Sequence, residues 1–172
     1  MINVGIATED DLPGMLDIYN DIIKNTTAVY DYVPHTLEMR RQWFVSKIEN
    51  GFPVYVAEEA GKVVGFGSIG PFRNWAAYKY SVENSIYVSA DHRGKGIGKL
   101  LLRPLIKSAE DLNMHTIIAS IDHTNIPSLR LHANFGFEEV AHFKQVGYKF
   151  GRWLDLKFLQ LILPTPNHPV SG

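Results

Sequence analysis

Apolar and polar positions change their period several times along the chain, and each change marks an element. Ile2 to Ala7 alternates as a short strand, and Thr8 with Asp11 three residues later has the form of a capping box that opens a helix. Leu12, Met15, Leu16, Tyr19, Ile22 and Ile23 then share one face at helical spacing. A second helix is predicted from about Thr36, with Trp43, Phe44 and Ile48 turned inward. It stops at Asn50-Gly51, residues that tolerate left-handed backbone, and a polar and aromatic loop joins the two helices. Val54 to Glu58 and Val63 to Ile69 read as a hairpin around Ala60-Gly61. After a loop from Pro71 to Ala77, the segment Tyr80 to Ser89 alternates again. Tyr80, Val82, Asn84, Ile86 and Val88 lie on a mostly apolar face, and Ser81, Glu83, Ser85 and Tyr87 on a polar one. Leu100 to Leu112 is an amphipathic helix, Thr116 to Ile121 a buried strand and Ile126 to Asn134 a helix. Glu138 to Val146 and Leu154 to Leu161 are two last strands. The order β-α-α-β-β-β-α-β-α-β-β mixes hairpins with a central crossover, which predicts an α+β class around one mixed sheet. No repeat and no internal linker divides residues 1–163, so one domain is expected.

Composition narrows the classes of function. Of 172 residues, 45% are hydrophobic and 12% aromatic, enough apolar surface to offset chain entropy, and global disorder is excluded. Lys+Arg 17 against Asp+Glu 18 leaves a formal net charge of −1 with the basic residues scattered, which argues against a nucleic-acid partner. The absence of cysteine removes disulfide scaffolds, thiolate nucleophiles and Cys-ligated zinc. The first residues lack a basic segment followed by an apolar run, and no stretch approaches the roughly 20 apolar residues of a membrane span. A cytoplasmic protein with no membrane partner is therefore expected. Residues 164–172 are rich in proline, have little to bury, and are expected to form a disordered tail outside the domain.

The sharpest local signal is Arg93-Gly94-Lys95-Gly96-Ile97-Gly98-Lys99, placed between a strand end at Tyr87-Val88 and the helix at Leu100. A glycine-rich turn feeding a helix N-terminus exposes several backbone N–H groups to a phosphate, and Arg93, Lys95 and Lys99 add attraction. Such turns also occur in plain solvated loops, so spacing has to decide. A phosphate-binding Walker loop needs Gly-x-x-x-x-Gly-Lys-Ser/Thr, but Arg93 stands five before Gly98 and Leu100 follows Lys99. A dinucleotide fingerprint needs Gly-x-Gly-x-x-Gly inside a parallel unit, whereas the glycines here run Gly-x-Gly-x-Gly late in a meander.

The spacing instead resembles the acetyl-CoA signature of the GNAT superfamily of N-acetyltransferases, Arg/Gln-x-x-Gly-x-Gly, met by Arg93, Gly96 and Gly98. Asn125, Ser128, Leu131-His132 and Gly136-Phe137 are similar to that superfamily's second signature, with His132 where many relatives carry Tyr. A closer resemblance, to the phosphinothricin and methionine-sulfoximine N-acetyltransferase branch, covers the chain up to about residue 163. Its blocks are Arg73; Tyr78, Val82, Glu83, Ser85, Tyr87 and Val88; His92-Arg93-Gly94; Ser128 to His132; and Gly147, Lys149, Gly151, Trp153 and Asp155. That branch has His at the Tyr position.

The resemblance implies an α+β GNAT (acyl-CoA N-acyltransferase) fold, a mixed, mostly antiparallel central sheet with about four flanking helices. It implies acetyl-CoA as cosubstrate, its pantetheine amides paired with a splayed strand at Ile86, Tyr87 and Val88. The pyrophosphate is taken by the turn Arg93, Gly94, Lys95, Gly96, Ile97, Gly98 and Lys99, and Asn125 and Ser128 lie along the cofactor. Asn125 also suits a helix cap. Acetyl transfer to an amine needs a neutral nitrogen, a stabilised oxyanion and a proton for the departing thiolate. Glu83, on the polar side of its strand, is the expected base and His132 the expected acid. A lone strand Glu or helix His is more often structural, and the resemblance is what selects these two. A backbone N–H near Val88 is expected to meet the oxyanion. Arg73 is placed to grip an acceptor carboxylate two-pronged. Asn74, Trp75, Tyr78 and Tyr30 are expected to wall the acceptor pocket, with Tyr148 and Lys149 as lesser candidates. The seven His are dispersed, so no catalytic metal is expected. Apolar edge segments, with the resemblance, point to a homodimer. The expected activity is acetylation of the α-amine of a glutamate analogue such as phosphinothricin or methionine sulfoximine, with detoxification or herbicide resistance as the implied role. Two alternatives stay open: another amine, such as a protein N-terminus or a polyamine, and a non-catalytic acyl-CoA-binding module.

Overall fold

The computed structural model describes residues 1–171. The chain divides into two compact units, the first made of Met1–Thr26, Asp31–Ile69 and Ser85–Leu105, the second of Thr27–Tyr30, Gly70–Asn84 and the chain from Ile106 onward.

The first unit starts with β1 (Ile2–Ile6) and a short 3-10 turn, Glu9–Asp11, at whose start Thr8 N donates to Asp11 Oδ2 at 2.7 Å. The expected capping box is thus present, one turn ahead of α1 (Leu12–Asn25). Leu12, Met15, Ile18, Ile22 and Ile23 are the buried stripe of α1. In α2 (Leu37–Glu49) the inward face differs from the expectation: Phe44 is buried, Trp43 half-buried, and Ile48 exposed, while Arg40 is buried. The guanidinium carbon of Arg40 lies 4.0 Å from the ring centre of Tyr19 and 4.7 Å from that of Trp43. Flanking aromatic faces attract a cation that periodicity counts as polar. β2 (Val54–Glu59) pairs antiparallel with β1 and with β3 (Lys62–Pro71). The β2–β3 turn uses left-handed backbone at Ala60 and Gly61, the twist a two-residue hairpin needs. β4 (Ser81–Val88) enters this unit with its second half, and α3 (Ile97–Asp111) packs Ile97 and Leu101 on Ala57 and Val64. Two glycines set that packing: a Cβ on Gly65 would stand 3.0 Å from Ile97 Cγ2 and from Tyr87 O, and one on Gly67 3.0 Å from Leu105 Cδ1 and 3.1 Å from Ser85 O.

The second unit holds the first half of β4, β5 (Thr116–Asp122), α4 (Ile126–Asn134), β6 (Glu138–Lys149) and β7 (Arg152–Ile162). β4 runs parallel to β5 from Ser81↔Thr116 to Asn84↔Ala119, and β7 is antiparallel to both β5 and β6. β6 runs past Val146, where the periodicity ends, because Gln145 takes φ 54° inside a register shift between Phe143 and Gly147 and pairing then resumes. The strand order β1-β2-β3-β4-β5-β7-β6, mostly antiparallel with β4 and β5 parallel, gives the expected α+β class. After Ile162 the described residues form neither helix nor strand. Thr165 Oγ1 donates to Met114 O at 2.5 Å and Val170 N to Tyr80 Oη at 3.0 Å. No helix among the described residues is long and apolar enough to cross a membrane.

Candidate active site

β4 carries Glu83 in its first half, within the second unit, and Tyr87 and Val88 in its second half, within the first. In the first unit, Ile86 and Val88 pack against the Ala57–Val64–Ile97–Leu101 core. The Tyr87 ring meets Tyr19 at 5.3 Å and Phe66 at 5.1 Å between centres. Ser89 gives its N–H to Val64 O at 2.9 Å. Amides alternate between the two edges of a strand, so the N–H of Val88 points away from β3.

The glycine turn is shorter than its motif. Arg93 to Gly96 form the turn, whereas Ile97, Gly98 and Lys99 are already the first turn of α3, with Leu100 N donating to Gly96 O at 3.2 Å. Gly94 and Gly96 have φ of 77° and 80°, and a Cβ at either would meet nothing within 4 Å. Side chains are thus missing where a ligand would approach, on backbone that other residues adopt at a cost. The Ile97 side chain is buried, which anchors the helix start and leaves only its backbone to the ligand, while Arg93, Lys95 and Lys99 are exposed. Helix N-terminal amides, the helix dipole and three cations fit the diphosphate of coenzyme A.

In the second unit, Glu83 Oε1 accepts a hydrogen bond of 2.5 Å from Ser120 Oγ of β5. Ser120 stands directly across from Phe158 of β7. From Phe158, ring contacts lead to Phe143 at 5.2 Å and to Phe72 at 6.3 Å. They continue from Phe72 to Tyr78 at 5.8 Å and from Tyr78 to Trp75 at 6.5 Å. The Arg73 guanidinium is exposed and lies 4.5 Å from the Phe72 ring centre, beside the equally exposed Asn74. Trp75 is 72% exposed, so it does not serve the core, and that favours a wall over a packing role. Tyr30 Oη donates its one proton to Asp122 Oδ2 at 2.7 Å and also lies 3.0 Å from Asp155 O. Burial and the bond to Asp122 push the Tyr30 phenol well above its ordinary range. Burial works against ionisation of Asp122, which is 3% exposed, but hydrogen bonds from Thr124 and Tyr30 outweigh it and hold the carboxyl below the usual range. Lys149 donates to Val29 O at 2.8 Å, and a Cβ on Gly147 would lie 2.9 Å from the Tyr30 ring. The end of β6 therefore lies against the Val29–Tyr30 segment, while Tyr148 is exposed and packs on Trp153.

His132 lies on the other side of β4. Successive strand residues point to opposite faces, and the residue it meets is Asn84, not Glu83. The ring is 3% exposed. Its Nδ1 sits 2.8 Å from Ser128 O, which can only accept, so Nδ1 carries the proton; Nε2 then accepts from Asn84 Nδ2 at 3.0 Å. Burial lowers the pKa of the imidazole, opposed by the bond to Ser128. Asn84 is 6% exposed, and its Oδ1 has no hydrogen-bond partner among the described residues. Asn125 caps α4, accepting from Ser128 N at 3.3 Å. Among the described residues no group of three or more His, Cys, Asp or Glu could hold a metal ion.

Sequence reading passed over Ser120, Asn84, Asp122, Phe72 and Phe158. Two of them had left a trace: Ser120 is a lone hydroxyl in the apolar run Ile117-Ile118-Ala119-Ser120-Ile121, and Asn84 a polar residue on the apolar face of its strand. The aromatic row had none, since Phe158 joins Phe72 only through tertiary packing.

A family model described as the acetyltransferase (GNAT) family matches residues 15–137. The chain belongs to the GNAT acetyltransferases. An L-methionine sulfoximine/L-methionine sulfone acetyltransferase of Pseudomonas aeruginosa is 45% identical over 169 residues, covering 97% of this chain and 96% of its own. Among solved structures, a GNAT superfamily phosphinothricin acetyltransferase from Sinorhizobium meliloti in complex with acetyl-CoA is 37% identical. It superposes with a TM-score of 0.92, covering 94% of this chain and 88% of that one. A ribosomal-protein-alanine N-acetyltransferase from Brucella melitensis is 48% identical with a TM-score of 0.91, covering 94% and 99%. The acetyltransferase thus has the GNAT fold that its motifs implied, and the Sinorhizobium structure that it resembles holds acetyl-CoA.

Proposed function

We propose that this acetyltransferase moves the acetyl group of acetyl-CoA onto the α-amine of an amino-acid-like acceptor, with methionine sulfoximine, methionine sulfone and phosphinothricin as the leading acceptors. The observation that carries this reading is the Glu83 carboxylate held by Ser120 beside an aromatic row that has Arg73 at its margin. The named activities of the Pseudomonas and Sinorhizobium relatives support it.

Acetyl-CoA supplies an acyl group already activated as a thioester, so the reading calls on no metal. The turn amides and Arg93, Lys95 and Lys99 hold the diphosphate. The backbone of Ile86, Tyr87 and Val88 pairs with the pantetheine arm, beside Asn125 and Ser128. An α-amine with a pKa of about 8 is mostly ammonium at neutral pH, and Glu83 takes its proton, directly or through a water. The nitrogen attacks the acyl carbon without a covalent acyl-enzyme, and the Val88 N–H faces the oxyanion. A neutral His132 whose Nδ1–H is donated to Ser128 O, and whose Nε2 accepts from Asn84, has no proton to give the sulfur. We therefore assign the thiol proton to the second proton that the nitrogen sheds as the tetrahedral intermediate collapses, and His132 to the joint between β4 and α4. Arg73 pairs with the acceptor carboxylate, and Asn74, Trp75, Tyr78 and Tyr30 wall the pocket. The same reading takes the enzyme as a cytoplasmic homodimer with no nucleic-acid or membrane partner, acting in detoxification of such analogues and so in herbicide resistance.

One observation favours a second reading, acetylation of a protein N-terminal alanine: the likeness to the Brucella structure. A thiol-release assay with acetyl-CoA separates the two. Its acceptors are methionine sulfoximine, methionine sulfone, phosphinothricin, their decarboxylated forms and a peptide starting with alanine. The expected result is turnover of the first three, a kcat lowered about 10²–10⁴-fold by Glu83→Gln, and a KM raised by Arg73→Ala only for acceptors with a carboxylate. Turnover of the peptide alone would transfer the assignment to the second reading. Coenzyme binding without thiol release from any amine would leave only a binding module.

A further inference from the structure

We propose that Ser120 is the positioning residue of the catalytic carboxylate, holding Glu83 in one rotamer through Oε1 and leaving Oε2 to meet the acceptor ammonium. The inference rests on the reading of Glu83 as the base. β4 and β5 run parallel with Glu83 across from Ile118, so the side chains of Glu83, Ile118, Ser120 and Asp122 share one face of the sheet. On that face of β5, Ile118 has no polar group. Asp122 accepts from Thr124 N at 2.9 Å and Thr124 Oγ1 at 2.5 Å through Oδ1, and from Tyr30 through Oδ2. Ser120 is the group between them, and its Oγ approaches Glu83 Oε1 to 2.5 Å.

A carboxylate only accepts, so the serine donates, and a hydroxyl has a single proton to give. The bond is charge-assisted, hence short and directional, and it fixes a side chain with three rotatable bonds. It uses one oxygen of Glu83 and none of the serine lone pairs. Glu83 Oε2 is thereby left to accept an N–H of the acceptor ammonium. In the step that follows, one N–H bond breaks and its proton goes to Glu83 Oε2; the freed electron pair of the nitrogen forms the bond to the acyl carbon as the carbonyl π pair moves onto oxygen. The serine keeps its proton throughout. It acts through Glu83 and touches no acyl atom, so its loss should slow the chemical step without loosening the coenzyme.

The test uses the full chain with acetyl-CoA and methionine sulfoximine, scored by thiol release and by thermal melting. Ser120→Ala should lower kcat about 10–100-fold, as expected for a misplaced reacting group, with KM for acetyl-CoA within about twofold of the parent. Ser120→Thr, which keeps the hydroxyl, should recover kcat to within about threefold. Adding Ser120→Ala to Glu83→Gln should cost nothing further, because the serine then has no carboxylate to hold. A parental kcat in Ser120→Ala, no recovery in Ser120→Thr with an unchanged melt, or an equal loss in the Glu83→Gln background would each overturn the inference while the base stood. A parental kcat in Glu83→Gln would instead overturn the reading of the base.

Discussion

Glu83 and Asn84 are neighbours in sequence and part ways in space, and that alternation decides what each candidate residue can do. Glu83 turns to Ser120 and Asn84 to His132. For His132 the consequence is measurable in stability. Burial lowers its pKa in the folded protein, so below about pH 6.5, the ordinary histidine value, the unfolded chain binds a proton that the folded chain refuses. The stability from keeping this ring neutral is present above that pH and is lost as the pH falls towards the folded pKa, at no more than about 1.4 kcal/mol per pH unit for one proton. His132→Gln should be less stable than the parent at pH 7.5, having lost the ring contact with Phe137 at 5.0 Å, yet lose less on acidification. Urea denaturation at pH 7.5 and 5.5 checks this, and parallel pH dependences in the two proteins would contradict it.

At the scale of elements, the site depends on how closely α3 can approach the strands beneath it. Gly65→Ala would set a methyl 3.0 Å from Ile97 Cγ2 and from the carbonyl oxygen of Tyr87, and the backbone oxygen cannot turn aside. Overpacking of this kind costs about 1–3 kcal/mol, which for a chain of this size lowers the melting temperature by a few degrees per kcal/mol. Because Ile97 opens the helix that carries the glycine turn, KM for acetyl-CoA should rise in the same variant. A lower melting temperature with unchanged KM would mean that the helix start tolerates the shift. This dependence was only half legible in the sequence. The order of elements could be read because alternation and helical spacing are local properties, and the glycine turn because its backbone conformation demands glycine. Ile48 was expected inside, and nothing marked Arg40 as buried, because a count of apolar residues does not see that Tyr19 and Trp43 make a bed for a guanidinium. Ser120 and Phe158 depend on the register of β5 against β4 and β7, which nothing local to either strand encodes.

On the scale of the whole molecule, β6 and β7 carry the exposed apolar surface that bears on assembly. β6 ends the strand order, and edge strands invite pairing, but the irregularity between Phe143 and Gly147 breaks the regular ladder that a second strand would need. The other edge, β1, has only five residues. What β6 and β7 do present is apolar area: Val140, Phe143, Val146, Tyr148, Phe150 and Trp153 are all exposed, Trp153 at 59%. A concentration of aromatic side chains this far into solvent suits an interface with a second copy better than contact with water. The proposed homodimer should therefore form through side-chain packing of this hairpin, not through strand addition. Light scattering coupled to size exclusion at micromolar concentration should give twice the 19.4 kDa of one chain. Trp153→Asp, which sets a charge where an aromatic anchor is expected, should give a single chain's mass, since loss of such an anchor commonly costs 2 kcal/mol or more, roughly a thirtyfold weaker association. A parent protein that elutes at 19.4 kDa would refute the dimer.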